Sequence, residues 1–396
     1  AFGSVAEGIS KIRNPLISWD TLSSLNGAMA IGASVERKDN EWGIRGNGGK
    51  LRISQDMIDM GNSGTSLRIF CGLASLADTK TGFDGDSSLR TRPMNPLLSA
   101  LEQLGAKTES KNGFCPLSIQ GPIKGGNVKI ECKSSQYLTS LLIALPLAKN
   151  DSKIEVTLLN EAPYVEITLD WLRRLGIAFE ASSDLKHYTI KGQQKYKAFE
   201  CLIPGDFSTA TFPLVAAAVT GGEVKLFNLD FNDRQGDKEV FSFLQKMGAT
   251  IIKEKDFTIV RSDGILNGGE FDLNATPDAL PAMAVAACCA KGKTVLKNVP
   301  QARIKETDRI ACMTCELRKM GANIEELPDG MIIYGGQHLH GAELESYGDH
   351  RIAMSLAIAA FCAEKESIIK SAESASVTYP AFFEDFRKAG AKISFI

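Results

Sequence analysis

The residues of this chain best suited to chemistry are Gln301-Ala302-Arg303-Ile304-Lys305-Glu306-Thr307-Asp308-Arg309, which set five charges within seven residues. Apolar residues then recur at Ile310, Met313, Leu317 and Met320, a stripe that predicts a helix with the charged run on its first turn. In that arrangement Lys305 and Arg309 lie four apart on one face, with Glu306 beside them. Cations there crowd a helix end that already carries partial positive charge, and the usual compensation is a bound anion. A solvated charged turn would read the same in isolation, so the decision falls to the rest of the chain.

Other predicted helix starts carry similar groups. Asn62-Ser63-Gly64-Thr65-Ser66-Leu67-Arg68 combines hydroxyls, a glycine that permits close backbone approach and an arginine one turn in. Gly85-Asp86-Ser87-Ser88-Leu89-Arg90-Thr91-Arg92-Pro93 sets two arginines just ahead of a helix. Ser134-Ser135-Gln136 offers two hydroxyls and an amide, suited to phosphate or carboxylate oxygens. Asp349-His350-Arg351 adds another arginine. A helix start presents free N–H groups and so favours anions. Ordinary N-capping would explain any one of these stretches. Their recurrence, with several arginines, points to a cleft for something multiply anionic. Asp278 and Glu306, each at a helix start near cations, are the candidate proton carriers, with capping or ion pairing as their plain alternative. Of the histidines, only His350 belongs to a charged opener; His187, His338 and His340 sit in polar surroundings. No Ser/His/Asp arrangement, Walker loop or dinucleotide fingerprint is evident.

The elements that position these groups repeat. Leu104-Gly105-Ala106, Leu175-Gly176-Ile177, Met247-Gly248-Ala249, Met320-Gly321-Ala322 and Ala389-Gly390-Ala391 each end an amphipathic helix and begin a strand, and their glycines lie 71, 72, 73 and 69 apart. Ile31-Gly32-Ala33 fits the same series. The openers keep step: Gly64, Gln136, Ser208, Ala279 and Arg351 are separated by 72, 72, 71 and 72 residues. One further step back falls before Ala1, so the first opener is expected upstream, with Ala1–Gly8 as the tail of the first helix. Strand-like runs at 128–130, 154–158, 258–260 and 331–334 complete a unit of helix, strand, helix, strand, strand. The expected fold is α/β, with six units in two similar domains of three, 1–203 and 204–396. A cleft between two similar domains is the expected ligand site.

Composition narrows the partners. A net charge of −2 and a pI near 6.2 argue against binding nucleic acid or membrane through bulk charge. No apolar run reaches the ~20 residues of a membrane span, and the expected location is the cytoplasm. Nine irregularly spaced cysteines suggest a reducing compartment. Cys312 and Cys315 form a C-x-x-C in mid-helix with no second pair or nearby histidine, so no metal site is expected.

Taken together, Asn62-Ser63-Gly64-Thr65, Arg92-Pro93-Met94, Ser134-Ser135-Gln136, Lys305-Glu306-Thr307-Asp308-Arg309, Asp349-His350-Arg351 and Tyr379-Pro380 resemble, in order, the motifs of the enolpyruvylshikimate-phosphate synthase family. The resemblance implies two domains, each of three βαβαββ-type units in an inside-out α/β barrel. It also implies transfer of the enolpyruvyl group of phosphoenolpyruvate to the 5-hydroxyl of shikimate 3-phosphate, with release of phosphate and no metal or cofactor. Carried over by motif, Gly64, Thr65, Arg92, Gln136, Arg309 and Arg351 are implied to hold phosphoenolpyruvate. Ser134, Ser135, Gln136, Asp278, Gln301 and Lys305 are implied to face shikimate phosphate, with Asn62, Arg68, Tyr164 and His350 as secondary candidates. Asp278 would accept the hydroxyl proton, and Lys305 and Glu306 would protonate the methylene carbon and collapse the intermediate. A monomer acting on small molecules is expected.

Three residues depart from the family pattern. Glu161 stands where a serine is usual, and a carboxylate there is expected to repel phosphate; Gln301 replaces asparagine, and Val377 replaces lysine. Two other readings are weighed beside the synthase. One is an inactive anion-binding scaffold, or part of a split enzyme, lacking the upstream opener. The other is enolpyruvyl transfer to a UDP-amino sugar, which would call on a loop cysteine in the region of Cys115.

Overall fold

All six repeat glycines end a helix with a left-handed backbone: Gly32, Gly105, Gly176, Gly248, Gly321 and Gly390 have φ between 72° and 119°. Without a Cβ, glycine takes this conformation cheaply, and the chain turns from helix into strand at the first five; no strand follows Gly390, contrary to the sequence expectation. The computed structural model describes residues 1–396, which form two units, Ala1–Ile203 and Pro204–Ile396. Each unit has its own apolar core and three small sheets, and the fold is α/β.

Four of the six sheets share one winding. Met57–Asp59 runs parallel to Thr81–Asp84, which pairs antiparallel with Phe114–Gln120, itself antiparallel to Lys107–Lys111. The same order recurs in the sheet of Gly126–Cys132, Ser152–Leu159, His187–Ile190 and Phe179–Ala181. It recurs again in that of Glu270–Asp272, Gly292–Lys297, Gly330–Gly335 and Asn323–Leu327. In the sheet of Ile9–Arg13, Glu41–Arg45 and Ser34–Lys38, the first strand is Glu200–Leu202, from the far end of the same unit. The repeat is therefore βαβαββ. The helix–strand–helix–strand–strand reading lacked the opening strand, which is only three residues long at Met57–Asp59, Glu270–Asp272 and Glu343–Glu345.

Where the parallel strands follow one another in the chain, a helix joins them, as a parallel crossover requires. These connecting helices are apolar nearly all round and are accordingly buried. Gly64–Ala74 packs on Ser135–Ala144 in the first unit, and Phe207–Thr220, Leu280–Cys289 and His350–Phe361 pack on one another in the second. Side chains of Ser63, Ser134, Asp206 and Asp349 cap four of them, each accepting a backbone N–H of the first turn. Asp278 instead lies within a 3₁₀ turn, Pro277–Ala279, that leads into its helix. No helix is long and apolar enough to cross a membrane.

The charged run does not form a first helical turn. A 3₁₀ helix spans Pro300–Ile304, and the α-helix runs Arg309–Lys319 with Asp308 as its cap, accepting from the Ala311 N–H. A short acceptor side chain competes with helix continuation and stops it there. Arg303 is drawn off to Asp308 at 2.7 Å and Glu326 at 2.9 Å. Lys305 and Arg309 are thus not stacked on one helical face, contrary to the sequence expectation.

Candidate functional site

In the first unit the helix start at Gly64 gathers an arginine-rich cluster. Arg68 Nη1 donates to Gln136 Oε1 at 2.6 Å, and Gln136 Nε2 donates to Thr65 Oγ1 at 2.8 Å. Arg92 Nη2 donates to Asn62 Oδ1 at 2.8 Å and to Ser88 Oγ at 3.1 Å, while Asn62 Nδ2 donates to Asp86 at 2.7 Å. Both guanidinium groups close on Gly64: a Cβ there would stand 2.9 Å from Arg68 Nη1 and 3.0 Å from Arg92 Nη1. Arg68 and Arg92 are buried, and Arg68 lies over the Tyr137 ring at 5.2 Å. Two cations, a hydroxyl and an amide around a helix N-terminus form a seat for a small anion.

The second serine opener is already engaged. Glu161 Oε2 accepts from the Ser135 hydroxyl at 2.8 Å, the Ser135 N–H at 3.0 Å and the Ser134 hydroxyl at 3.5 Å. Tyr164 stands on the helix Ala162–Arg174 that Glu161 begins.

In the second unit three distant motifs meet at one carboxylate. Asp278 Oδ1 is 2.8 Å from Arg309 Nη1 and 3.7 Å from Lys305 Nζ, and Oδ2 is 3.2 Å from Arg351 Nη2. Arg309, only 1% exposed, also pairs with Glu306 at 2.6 Å and Asp349 at 2.8 Å. Thr307 Oγ1 donates to the same Asp349 oxygen at 3.1 Å. The expected compensation for the buried cation is therefore supplied by the chain's own carboxylates. Burial pushes the Asp278 carboxyl up, but Arg351, Lys305 and Arg309 outweigh it and hold the group well below the ordinary carboxylate range. Burial lowers His350 to about 4, prevailing over the opposing pull of Glu306 and of Asp349, so its imidazole is neutral at pH 7. Gln301 Nε2 donates to the Asn274 carbonyl at 3.0 Å, leaving Oε1 buried without a hydrogen-bond partner.

Of the sequence candidates, Asn62, Gly64, Thr65, Arg68, Arg92 and Gln136 come together in the first unit. Asp278, Lys305, Glu306, Arg309 and Arg351 do so in the second, with His350 beside Asp349. Sequence reasoning did not single out Asp349 and Thr307, which hold Arg309, or Asp86 and Ser88, which hold the Asn62–Arg92 pair. Asp349 was open to discovery as the cap of its opener, since a capping carboxylate beside a helix start is also free to accept from a nearby cation. Cys115 is buried within Phe114–Gln120, and burial pushes its thiol up to about 12, which leaves no reactive thiolate for the amino-sugar reading.

Repeated βαβαββ units whose inner helix starts carry arginines, hydroxyls and carboxylates define a class of protein suited to small, multiply charged anions. A family model described as EPSP synthase (3-phosphoshikimate 1-carboxyvinyltransferase) matches residues 1–386. The chain belongs to the EPSP synthase family. It is 49% identical over 395 residues to a 3-phosphoshikimate 1-carboxyvinyltransferase of Acetivibrio thermocellus, spanning 99% of this chain and 93% of that one. A protein of the same name from Ruminiclostridium cellulolyticum is 48% identical over 394 residues, again 99% and 93% of the two chains. The EPSP synthase structure from Acinetobacter baumannii superposes with a TM-score of 0.81 at 30% identity, covering 99% of this chain and 92% of that one.

Proposed function

We propose that the two clusters bind and process the substrates of the family's reaction. The activity is transfer of the enolpyruvyl group of phosphoenolpyruvate to the 5-hydroxyl of shikimate 3-phosphate, with release of phosphate. The observation that carries the assignment of roles is the convergence of Lys305, Arg309 and Arg351 on Asp278. In this reading Arg92, Gln136, Gly64 and Thr65 in the first unit, and Arg309 and Arg351 in the second, take the phosphate and carboxylate of phosphoenolpyruvate. Ser134, Ser135, Gln136, Gln301 and Lys305 take the acceptor, and the orphan Gln301 Oε1 suits one of its hydroxyls.

Asp278 receives the acceptor's hydroxyl proton. A carboxylate held so low is ionised but weakly basic. When substrate anions draw Arg351 and Arg309 toward themselves, that restraint relaxes and Asp278 becomes the better base. Lys305, beside Asp278, and Glu306, paired with Arg309, serve the proton steps at the methylene carbon and the breakdown of the intermediate. Guanidinium groups and helix ends replace the water lost by two charged substrates. The chain is read as a monomer and as cytoplasmic, and its nine free thiols suit a reducing compartment. The test is the product itself: isotope-labelled phosphoenolpyruvate should pass its three-carbon unit to shikimate 3-phosphate, one phosphate being released per transfer. Label remaining in phosphoenolpyruvate or appearing in pyruvate would reject the reaction.

A further inference from the structure

Glu161 has no part in the roles above, yet it is placed with care. It begins the helix Ala162–Arg174 with φ 60° and ψ 39°, a left-handed backbone that a glutamate adopts only when its surroundings hold it there. Its side chain does not cap its own helix. It crosses instead to the start of the inner helix Ser135–Ala144, where a single oxygen, Oε2, accepts from the Ser135 N–H and from the hydroxyls of Ser135 and Ser134. The residue is 1% exposed. One backbone N–H at a helix N-terminus and two hydroxyls, all directed at one anionic oxygen, are the donors a phosphate oxygen would use.

We propose that Glu161 is an internal occupant of this anion seat and sets the affinity of the chain for a phosphorylated acceptor. The inference rests on the reading that Ser134 and Ser135 face the acceptor's phosphate. A carboxylate and a phosphate at contact distance repel each other and cannot share the same three donors. The phosphate must therefore displace the carboxylate, and part of its binding free energy goes into that exchange. The sequence expectation that a carboxylate here opposes phosphate thereby acquires a mechanism, competition for the donors in addition to repulsion. An acceptor lacking the phosphate gains nothing from the seat, so Glu161 acts on phosphate recognition alone.

The experiment is a calorimetric titration of the full chain and of Glu161→Gln and Glu161→Ser with shikimate 3-phosphate, shikimate and inorganic phosphate. Glu161→Gln keeps the size of the side chain and removes its charge, and melting curves confirm that each variant is folded. Both variants should bind shikimate 3-phosphate and inorganic phosphate roughly tenfold tighter or more, with shikimate unchanged. Equal or weaker phosphate affinity in folded Glu161→Gln overturns the proposal, and that variant decides if Glu161→Ser does not fold. If inorganic phosphate tightens while shikimate 3-phosphate binds none of the proteins, the seat stands and the acceptor reading falls. If shikimate 3-phosphate binds all three proteins alike, the acceptor reading stands and the role of Glu161 falls.

Discussion

Arg309 is fully buried and bonded to three carboxylates, Asp278, Glu306 and Asp349. Placing a cation in the interior is costly unless its partners are equally well placed, and here every partner is charged. Arg309→Ala leaves three carboxylates facing one another, and the expected loss is about 3–5 kcal/mol of unfolding free energy, read from the urea midpoint. His350, three percent exposed, titrates in the opposite environment. Its folded pKa, about 4, lies below the ordinary 6.5, so the unfolded chain takes up the proton first. The resulting contribution is complete above pH 6.5 and is lost as pH falls through 4, at most about 3 kcal/mol. Urea unfolding at pH 7 and pH 4.5 should show a smaller drop for His350→Gln than for the unaltered chain. Asp278, depressed below the carboxylate range, loses its own contribution only below that window, so the two groups separate on the pH axis.

Among the elements, the inner helices Gly64–Ala74 and Ser135–Ala144 pack closely. A Cβ on Gly72 would collide with Ser140 Oγ and stand 2.8 Å from the Ser140 carbonyl oxygen. The Ser140 hydroxyl donates to the Arg68 carbonyl at 2.6 Å, which ties the arginine's helix to its neighbour. Gly72→Ala therefore forces the helices apart, with an expected cost of about 1–3 kcal/mol in thermal or urea unfolding. The same change should weaken anion binding, because Arg68 and Gln136 stand on the two helices and bond across them at 2.6 Å. These helices were legible in sequence from their apolar, small-residue runs and their serine or aspartate openers. The start of the helix at Arg309 was not, because Asp308 reads equally well as a first-turn residue and as a cap. Only its bond from the Ala311 N–H distinguishes the two. The three-residue first strands were also invisible, since Met57–Asp59 and Glu270–Asp272 are too short to show alternation.

At the scale of the molecule, the organising feature is a unit repeated with nearly constant length. The positive-φ glycines carried that period in the sequence, and Gly105, Gly176, Gly248 and Gly321 all end helices as their spacing implied. What spacing could not carry was the pairing of side chains from different helices, within a repeat or between repeats. That Asp278 would collect Lys305 and Arg309 from the second helix of its own repeat, and Arg351 from the next repeat, follows from packing of the helices that begin at Leu280, Arg309 and His350. Glu161, too, was legible as an anomaly but not as a ligand of Ser134 and Ser135, because that contact joins the starts of two helices 26 and 27 residues apart in one repeat. Function in this molecule thus comes from contacts among helix starts, some within one copy of the folding pattern and some between copies. The claim on which the account turns is that Asp278 is the base these contacts surround. The direct measurement is the turnover of Asp278→Asn with both substrates saturating, alongside calorimetric affinity for shikimate 3-phosphate. The account expects kcat to fall by roughly 10²–10⁴ while the acceptor still binds; turnover within a few-fold of the unaltered chain would contradict it.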